Sequence, residues 1–289
     1  MSPPRVVSLL PSATEILCAL GAVEELVGIS HECDFPAEVR GRTVLTRSRI
    51  SNALSSRDID ASVRDVLLGA LSIYAIDERA LGELQPTLIV TQDLCEVCAV
   101  SLDDVKSAVA RLSSNSNVDI VCLQPTRLTE VFDDVERVAA ALGRNDAGAL
   151  LRERLSARID AIRERAAPAR ARPRVVSVEW LEPLMLGGLW MPELIELAAG
   201  TAVGARAAEP APTLSPTELR GLEPDVVVFK PCGFGIQRTL DEAPLNRGAS
   251  HGSNPSIGSR VRGGRQCLLQ PARPAPSRVA RNHGGVRAP

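Results

Sequence analysis

RVVSLLPSATEILCALG at residues 5–21 and LVGISHECDFP at residues 26–36 decide the fold of this chain. Arg5 to Leu9 is a short apolar run of the kind that makes a buried strand. Ser12-Ala13-Thr14-Glu15 has capping-box spacing, which predicts a helix running from there to Gly21, a residue suited to the position just past a helix end. A second strand follows at Leu26 to Ile29 and leads into the polar turn His31-Glu32-Cys33-Asp34-Phe35-Pro36. The polar turns follow the strands. In an open α/β sheet, ligands sit outside the carboxyl ends of the strands, so Ser12 to Glu15 and His31 to Asp34 are expected to line a cleft.

Working outward, further strands are predicted at Ser72 to Ile76, Thr87 to Thr91 and Val118 to Leu123. Helices are predicted near Ser62 to Leu68, Glu78 to Leu84 and Leu102 to Leu112, and this alternation is the pattern of βα units in a mainly parallel sheet. Residues 5–127 therefore form one α/β lobe. A helical segment covers residues 128–167, broken once at Gly143-Arg144-Asn145. In it Ala147, Leu151, Leu155, Ile159, Ile162 and Ala166 form a stripe at helical spacing, which predicts one helix packed along its length. After the prolines at 168 and 173 a second α/β lobe spans residues 174–244. Its strands are Arg174 to Val178 and Asp225 to Phe229, and its helices are Pro192 to Ala199 and Pro216 to Leu222.

Composition narrows the function. With 289 residues the chain can bury a full core, and 33 basic against 35 acidic residues leave no net field to draw it to nucleic acid. Seven cysteines, an odd number spread over an ordinary α/β pattern, do not read as a disulfide framework. The first residues show no charged n-region followed by an apolar h-region, so the expected compartment is the cytoplasm. Gly-x-x-x-x-Gly-Lys is missing and Ser12 sits in no Gly-x-Ser-x-Gly elbow, which argues against phosphate-loop chemistry and against Ser12 as a hydrolase nucleophile.

The stretches already quoted, together with PTLIVTQDLCEVCAVSLDDV, VEWLEPLMLGGLWMPELIELAAG and PDVVVFKPCGF, resemble the successive motifs of the iron/vitamin B12 periplasmic-binding superfamily, in its cobalamin-binding branch. The resemblance covers about Arg5 to Pro244. It implies two Rossmann-like α/β lobes joined by one long interlobe helix, with a fairly rigid cleft between them. The function it implies is capture of a corrinoid, haem or iron-siderophore, without enzymatic activity, for an ABC-type importer; a cytoplasmic relative that stores or hands over corrinoid is the variant that fits the first residues, and a monomer is expected. It also implies that acidic residues on the lobe tips dock on a permease, for which Glu96 and Glu218 are the nearest candidates.

Several residues stand out as ligand contacts. Ser12, His31 and Phe35 follow the first two strands, and Gln92, Asp93 and Cys95 follow the strand ending at Thr91. Trp180 and Phe234 follow the strands of the second lobe. A flat macrocycle wants stacking surface, which favours the cleft for Trp180, Phe35 and Phe234, whereas Trp190 and Tyr74 fit a lobe core equally well. Cys95-Glu96-Val97-Cys98 is half of a zinc site. With His31 (and Cys33 beside it) the pair is a candidate metal or metallocofactor ligand set of His31, Cys95 and Cys98. A dithiol couple and quiet packing are the other readings. The alternative function that goes with these residues is a zinc- or thiol-dependent enzyme.

From Leu245 to Pro289 there is no acidic or aromatic residue, although all 35 acids precede it. Such a segment reads as disordered. The family resemblance implies a further strand, a motif like GNAYFNRPGPR and a closing helix there. Residues Arg265 to Pro274 can be encoded so that a reading frame shifted by one nucleotide yields GNAYFNRPGP. The expectation is a frameshift between about Pro244 and His251, leaving the end of the second lobe missing.

Overall fold

The computed structural model describes residues 3–68, 73–94, 100–111 and 118–243, so the tail from 245 onward lies outside the described residues. The chain opens with strand β1 (Val6–Ser8), helix α1 (Pro11–Ala19) and strand β2 (Leu26–Ile29). Next come the short strands β3 (Thr43–Val44) and β4 (Thr46–Ser48), helix α2 (Ser56–Leu68), strand β5 (Tyr74–Ile76) and helix α3 (Glu78–Leu84). Strand β6 (Leu88–Gln92), helix α4 (Leu102–Arg111) and strand β7 (Asp119–Leu123) complete the first lobe. Five of these strands form a wholly parallel sheet in the order β3-β2-β1-β6-β7.

That order has a switch point. From β1 the chain moves outward through β2 and β3, then returns to lay β6 and β7 on the other side of β1. Helices leaving two neighbouring strands in opposite directions leave a crevice between β1 and β6. Both faces of the sheet are filled, because successive side chains point to opposite sides. Val6, Leu88 and Val90 join α1 and the helices beyond it in one core, whereas Val7, Leu9 and Ile89 join Leu81 and Val105 in another.

Two features differ from the sequence reading. The capping box at Ser12 does not form. The cap position is Leu10 with Pro11 as the first helical residue, because proline has no N–H to lose there and its fixed φ suits the first turn. Ser12 is thereby exposed in that turn, while Glu15 is buried within the helix. Gly21 does take the left-handed turn expected after the helix, with φ +76°. The second difference is an excursion from the sheet: β4 and β5 pair antiparallel as a separate ribbon with α2 between them.

Helices α5 (Leu128–Ala141) and α6 (Asn145–Ala166) connect the lobes. They meet closely at Gly148, where a Cβ would lie 2.5 Å from that of Ala139. Arg144 in the elbow donates to the carbonyl of Leu20 at 2.8 Å and to the Glu25 carboxylate, which pins the elbow to the end of α1. The stripe on α6 packs only in part. Leu151 and Leu155 are buried, but Ile162 is 38% exposed and the second half of the helix stands in solvent.

The second lobe contains β8 (Arg174–Trp180), β9 (Leu184–Leu186), α7 (Met191–Leu197), β10 (Thr201–Ala202), β11 (Thr213–Leu214), α8 (Pro216–Gly221), β12 (Val226–Phe229) and α9 (Ile236–Glu242). Strands β10 and β12 flank β8 in parallel, which repeats the switch point of the first lobe. Unlike the first sheet, this one is mixed: β9 runs antiparallel to β8, and β11 antiparallel to β9. Among the described residues no strand pairs with the outer edge of β12, and Val226 and Val228 on one of its faces are 42% and 43% exposed.

Candidate functional site

The predicted contacts fall at the carboxyl ends of the strands on either side of the two switch points. In the first lobe Ser12 is exposed one step past β1, Gln92 ends β6, and Asp93 next to it is exposed and accepts from Gln124 Nε2 at 3.3 Å. In the second lobe Trp180 ends β8, and Phe234 follows β12 through the turn at Gly233. Phe35, half-buried beyond β2, precedes a cis proline, as does Glu182 beyond Trp180. Cys95, Glu96 and Cys98 lie outside the described residues.

The two second-lobe aromatics come together. The Trp180 and Phe234 rings are 5.3 Å apart and tilted by 57°, and the Arg238 guanidinium lies 3.5 Å above the Phe234 ring. Such a tilted pair with a cation on one face is a favourable arrangement of ring quadrupoles. Trp180 Nε1 donates to the carbonyls of Ser56 and Glu182, at 3.2 and 3.1 Å, so its indole N–H bridges the lobes. Lys230 and Glu179, at the ends of β12 and β8, form a half-buried pair at 3.2 Å beside them. Sequence spacing gave no sign of Arg238 or of the Lys230–Glu179 pair, since both depend on strands meeting in space.

His31 sits in a polar cluster. Its amide donates to Thr46 Oγ1 at 3.1 Å, its Nδ1 is 2.7 Å from the same oxygen, and Thr46 donates onward to Ser30 Oγ at 3.0 Å. Nε2 is sealed from solvent, 3.3 Å from a Glu32 carboxylate oxygen but without hydrogen-bond alignment. Coordination of a metal by Nε2 would require that pair to open. Tyr74, read from the sequence as equally suited to a core, has its ring 5.4 Å from that of His31 and so joins the cluster.

Cys33 does not join His31. Its thiol lies in the core 3.0 Å from Thr14 Oγ1, which also contacts Ser8 Oγ at 2.8 Å, and burial pushes its pKa up to about 11. A buried, protonated thiol is a poor metal ligand and a poor nucleophile. Among the described residues no group of three or more His, Cys, Asp or Glu side chains gathers to hold a metal ion. Glu218, the described candidate for permease docking, is exposed on α8. One of its oxygens accepts from the Ser215 amide at 2.7 Å, and that bond, with the hydroxyl of the same serine, holds its pKa low.

Two α/β lobes, each built around a switch point, are joined through α5 and the long helix α6, and this architecture is that of a family of binding proteins. The periplasmic binding protein family matches residues 6–246, and the chain belongs to it. Members of that family bind substrates and are not enzymes, which overturns the zinc- or thiol-enzyme alternative. Solved structures share the fold. The periplasmic haem-binding protein HutB of Vibrio cholerae is 17% identical with TM-score 0.62, covering 84% of each chain. The haem-binding RhuT of Roseiflexus sp. RS-1 is 21% identical with TM-score 0.60, covering 85% of this chain and 87% of that one. The vitamin B12-binding protein BtuF of Vibrio cholerae is 18% identical with TM-score 0.57, covering 85% of each. No curated protein sequence gives a significant match. Among the described residues no helix is long and apolar enough to cross a membrane.

Proposed function

We propose that this protein captures a corrinoid of the cobalamin type, or a related metal chelate such as haem or an iron-siderophore, in the interlobe cleft and delivers it to an ABC permease. The observation that carries this reading is the Trp180–Phe234 pair at the second switch point, with the indole N–H reaching Ser56 of the other lobe. A tilted aromatic pair at a strand-end crevice offers a macrocycle an apolar wall, and polar groups at Ser12, Gln92 and Asp93 offer hydrogen bonds to its amides. Phe35 and Cys95 complete the proposed contacts. Axial ligation by His31, with Cys95 and Cys98, is a subordinate part of the reading and requires the His31–Glu32 pair to open.

The protein acts as a monomer, with lobes at 5–127 and 174–244 and the helical link at 128–167. Docking on the permease is assigned to Glu218, exposed on α8, and to Glu96. Capture takes place on the outer side of the membrane, the setting for which the family is named, in place of the cytoplasmic one expected from the first residues.

Visible-absorbance titration with cyanocobalamin, and in parallel with haemin, tests the assignment. Saturable binding is expected, and Trp180→Ala should weaken it about 30-fold, as loss of a hot-spot aromatic worth about 2 kcal/mol would do. Failure of both compounds to bind would overturn capture of a corrinoid or haem.

A further inference from the structure

Helix α2 belongs to the first lobe by sequence, yet its leading end is fastened to the second. Arg238 donates to the carbonyls of Asn52 at 2.5 Å and Leu54 at 2.6 Å. The Ser56 amide donates to Glu242 Oε2 at 2.7 Å, the Ser56 carbonyl accepts from Trp180, and Arg57 Nε donates to Glu182 Oε1 at 2.7 Å. Every one of these bonds crosses from residues 52–57 to residues 180–242.

The chemistry of a helix start explains the arrangement. The first N–H groups of a helix have no partner within it, and the N-terminal end of the dipole favours an anion. Ser55 supplies one cap locally by accepting from the Asp58 amide at 3.2 Å. Glu242 supplies another from the opposite lobe. Burial alone would raise the Glu242 pKa, but the bonds from Ser56 and Arg238 outweigh it and the carboxyl is held low and charged. Elsewhere α2 is loosely held, since Ser56 is its one buried residue and Leu68 at its far end is 86% exposed. The helix is thus anchored by its tip, beside the aromatic pair assigned to ligand.

We infer that residues 52–57 form a latch across the cleft, closed by Arg238 and Glu242, which opens to admit and release ligand. The gating part rests on the proposed function, whereas the latch itself does not. Arg238 also stacks on Phe234, so the closed latch holds one wall of the site in place. Opening would release the Arg238 bonds to Asn52 and Leu54 and the Ser56 bonds to Trp180 and Glu242, while Arg238 stays paired with Glu242 at 3.0 Å and the indole N–H keeps the Glu182 carbonyl.

The test has a ligand-free arm and a kinetic arm. Hydrogen exchange of the peptide spanning residues 52–60 should quicken at least tenfold in Glu242→Gln and in Arg238→Ala, while strand β6 keeps its protection. Arg57→Ala, which removes a side chain exposed at the surface, should give a smaller gain and guards against misfolding of the other two. Unchanged exchange at residues 52–57 in well-folded variants would overturn the latch. Stopped-flow mixing with cyanocobalamin or haemin should then show association and dissociation both accelerated severalfold. Faster exchange with unchanged rates would overturn the gating role. If wild type binds neither compound, exchange alone decides the latch, and it is the ligand assignment that falls.

Discussion

Strands β6 and β12 stand in corresponding places, each parallel to the central strand of its lobe, and each is written in the same apolar alphabet: LIVTQ in one, VVVF in the other. In β6 the residues from Leu88 to Thr91 are at most 3% exposed, whereas Val226 and Val228 of β12 are 42% and 43% exposed. The difference comes from the neighbours. Strand β6 lies between β1 and β7 with helices on both faces, while among the described residues β12 has β8 on one side alone. Burial is a property of the assembled lobe, and an apolar run states only a capacity for it.

The sharpest way to break this comparison is a matched pair of truncations. Ile89→Ala in β6 should cost about 3 kcal/mol in denaturant unfolding, because it removes buried methylenes and leaves a cavity. Val228→Ala in β12 should cost no more than about 0.5 kcal/mol, as a half-exposed site allows. Equal costs would show that β12 is covered in solution.

The elbow between the lobes gives a smaller effect. Arg144→Met should destabilise by about 2 kcal/mol, since it strands the Leu20 carbonyl and leaves Glu25, only 15% exposed, without its cation. A loss below about 0.5 kcal/mol in the same assay would mean that the elbow is held by packing alone.

The smallest expected change is a gain, and it depends on pH. Burial raises the Asp134 pKa to about 6, with Arg137, 3.0 Å away, opposing the shift. A carboxyl whose folded pKa lies above its unfolded one contributes stability at acid pH, and that contribution disappears as pH rises through about 6. Asp134→Asn should therefore raise Tm by about 2–4 °C at pH 8 and leave it nearly unchanged at pH 4. An equal gain at both pH values would mean that the charge of Asp134 is not what costs stability.

The elements that read clearly from sequence were those whose signals are local. Leu26–Ile29 and Glu78–Leu84 appear as predicted, and Gly21 ends its helix as its conformational freedom suggests. The short strands β9, β10 and β11 carried no periodicity to read, because two or three residues become a strand only when a partner lies beside them. At the start of α1 a genuine capping pattern lost to Pro11, a stronger local preference. For the candidate site, the strand pattern put Ser12, Gln92, Trp180 and Phe234 at or beyond strand ends, which is where the structure has them. It could not find Arg238, whose bonds to Asn52 and Leu54 span more than 180 positions of sequence. Nor could it separate Cys33 from His31, two residues apart, because whether each turns to the core or to the polar cluster is set by packing.

Gly148, where α5 and α6 nearly touch, makes the connecting helix a lever with its fulcrum at one end. The 22-residue helix is about 33 Å long, with Gly148 in its first turn. A single added methyl would act as a wedge there, and a tilt of about 5° would swing the far end by about 2 Å at a rise of about 1.5 Å per residue. The direction in which the long helix leaves its elbow is thus set by the absence of one carbon atom.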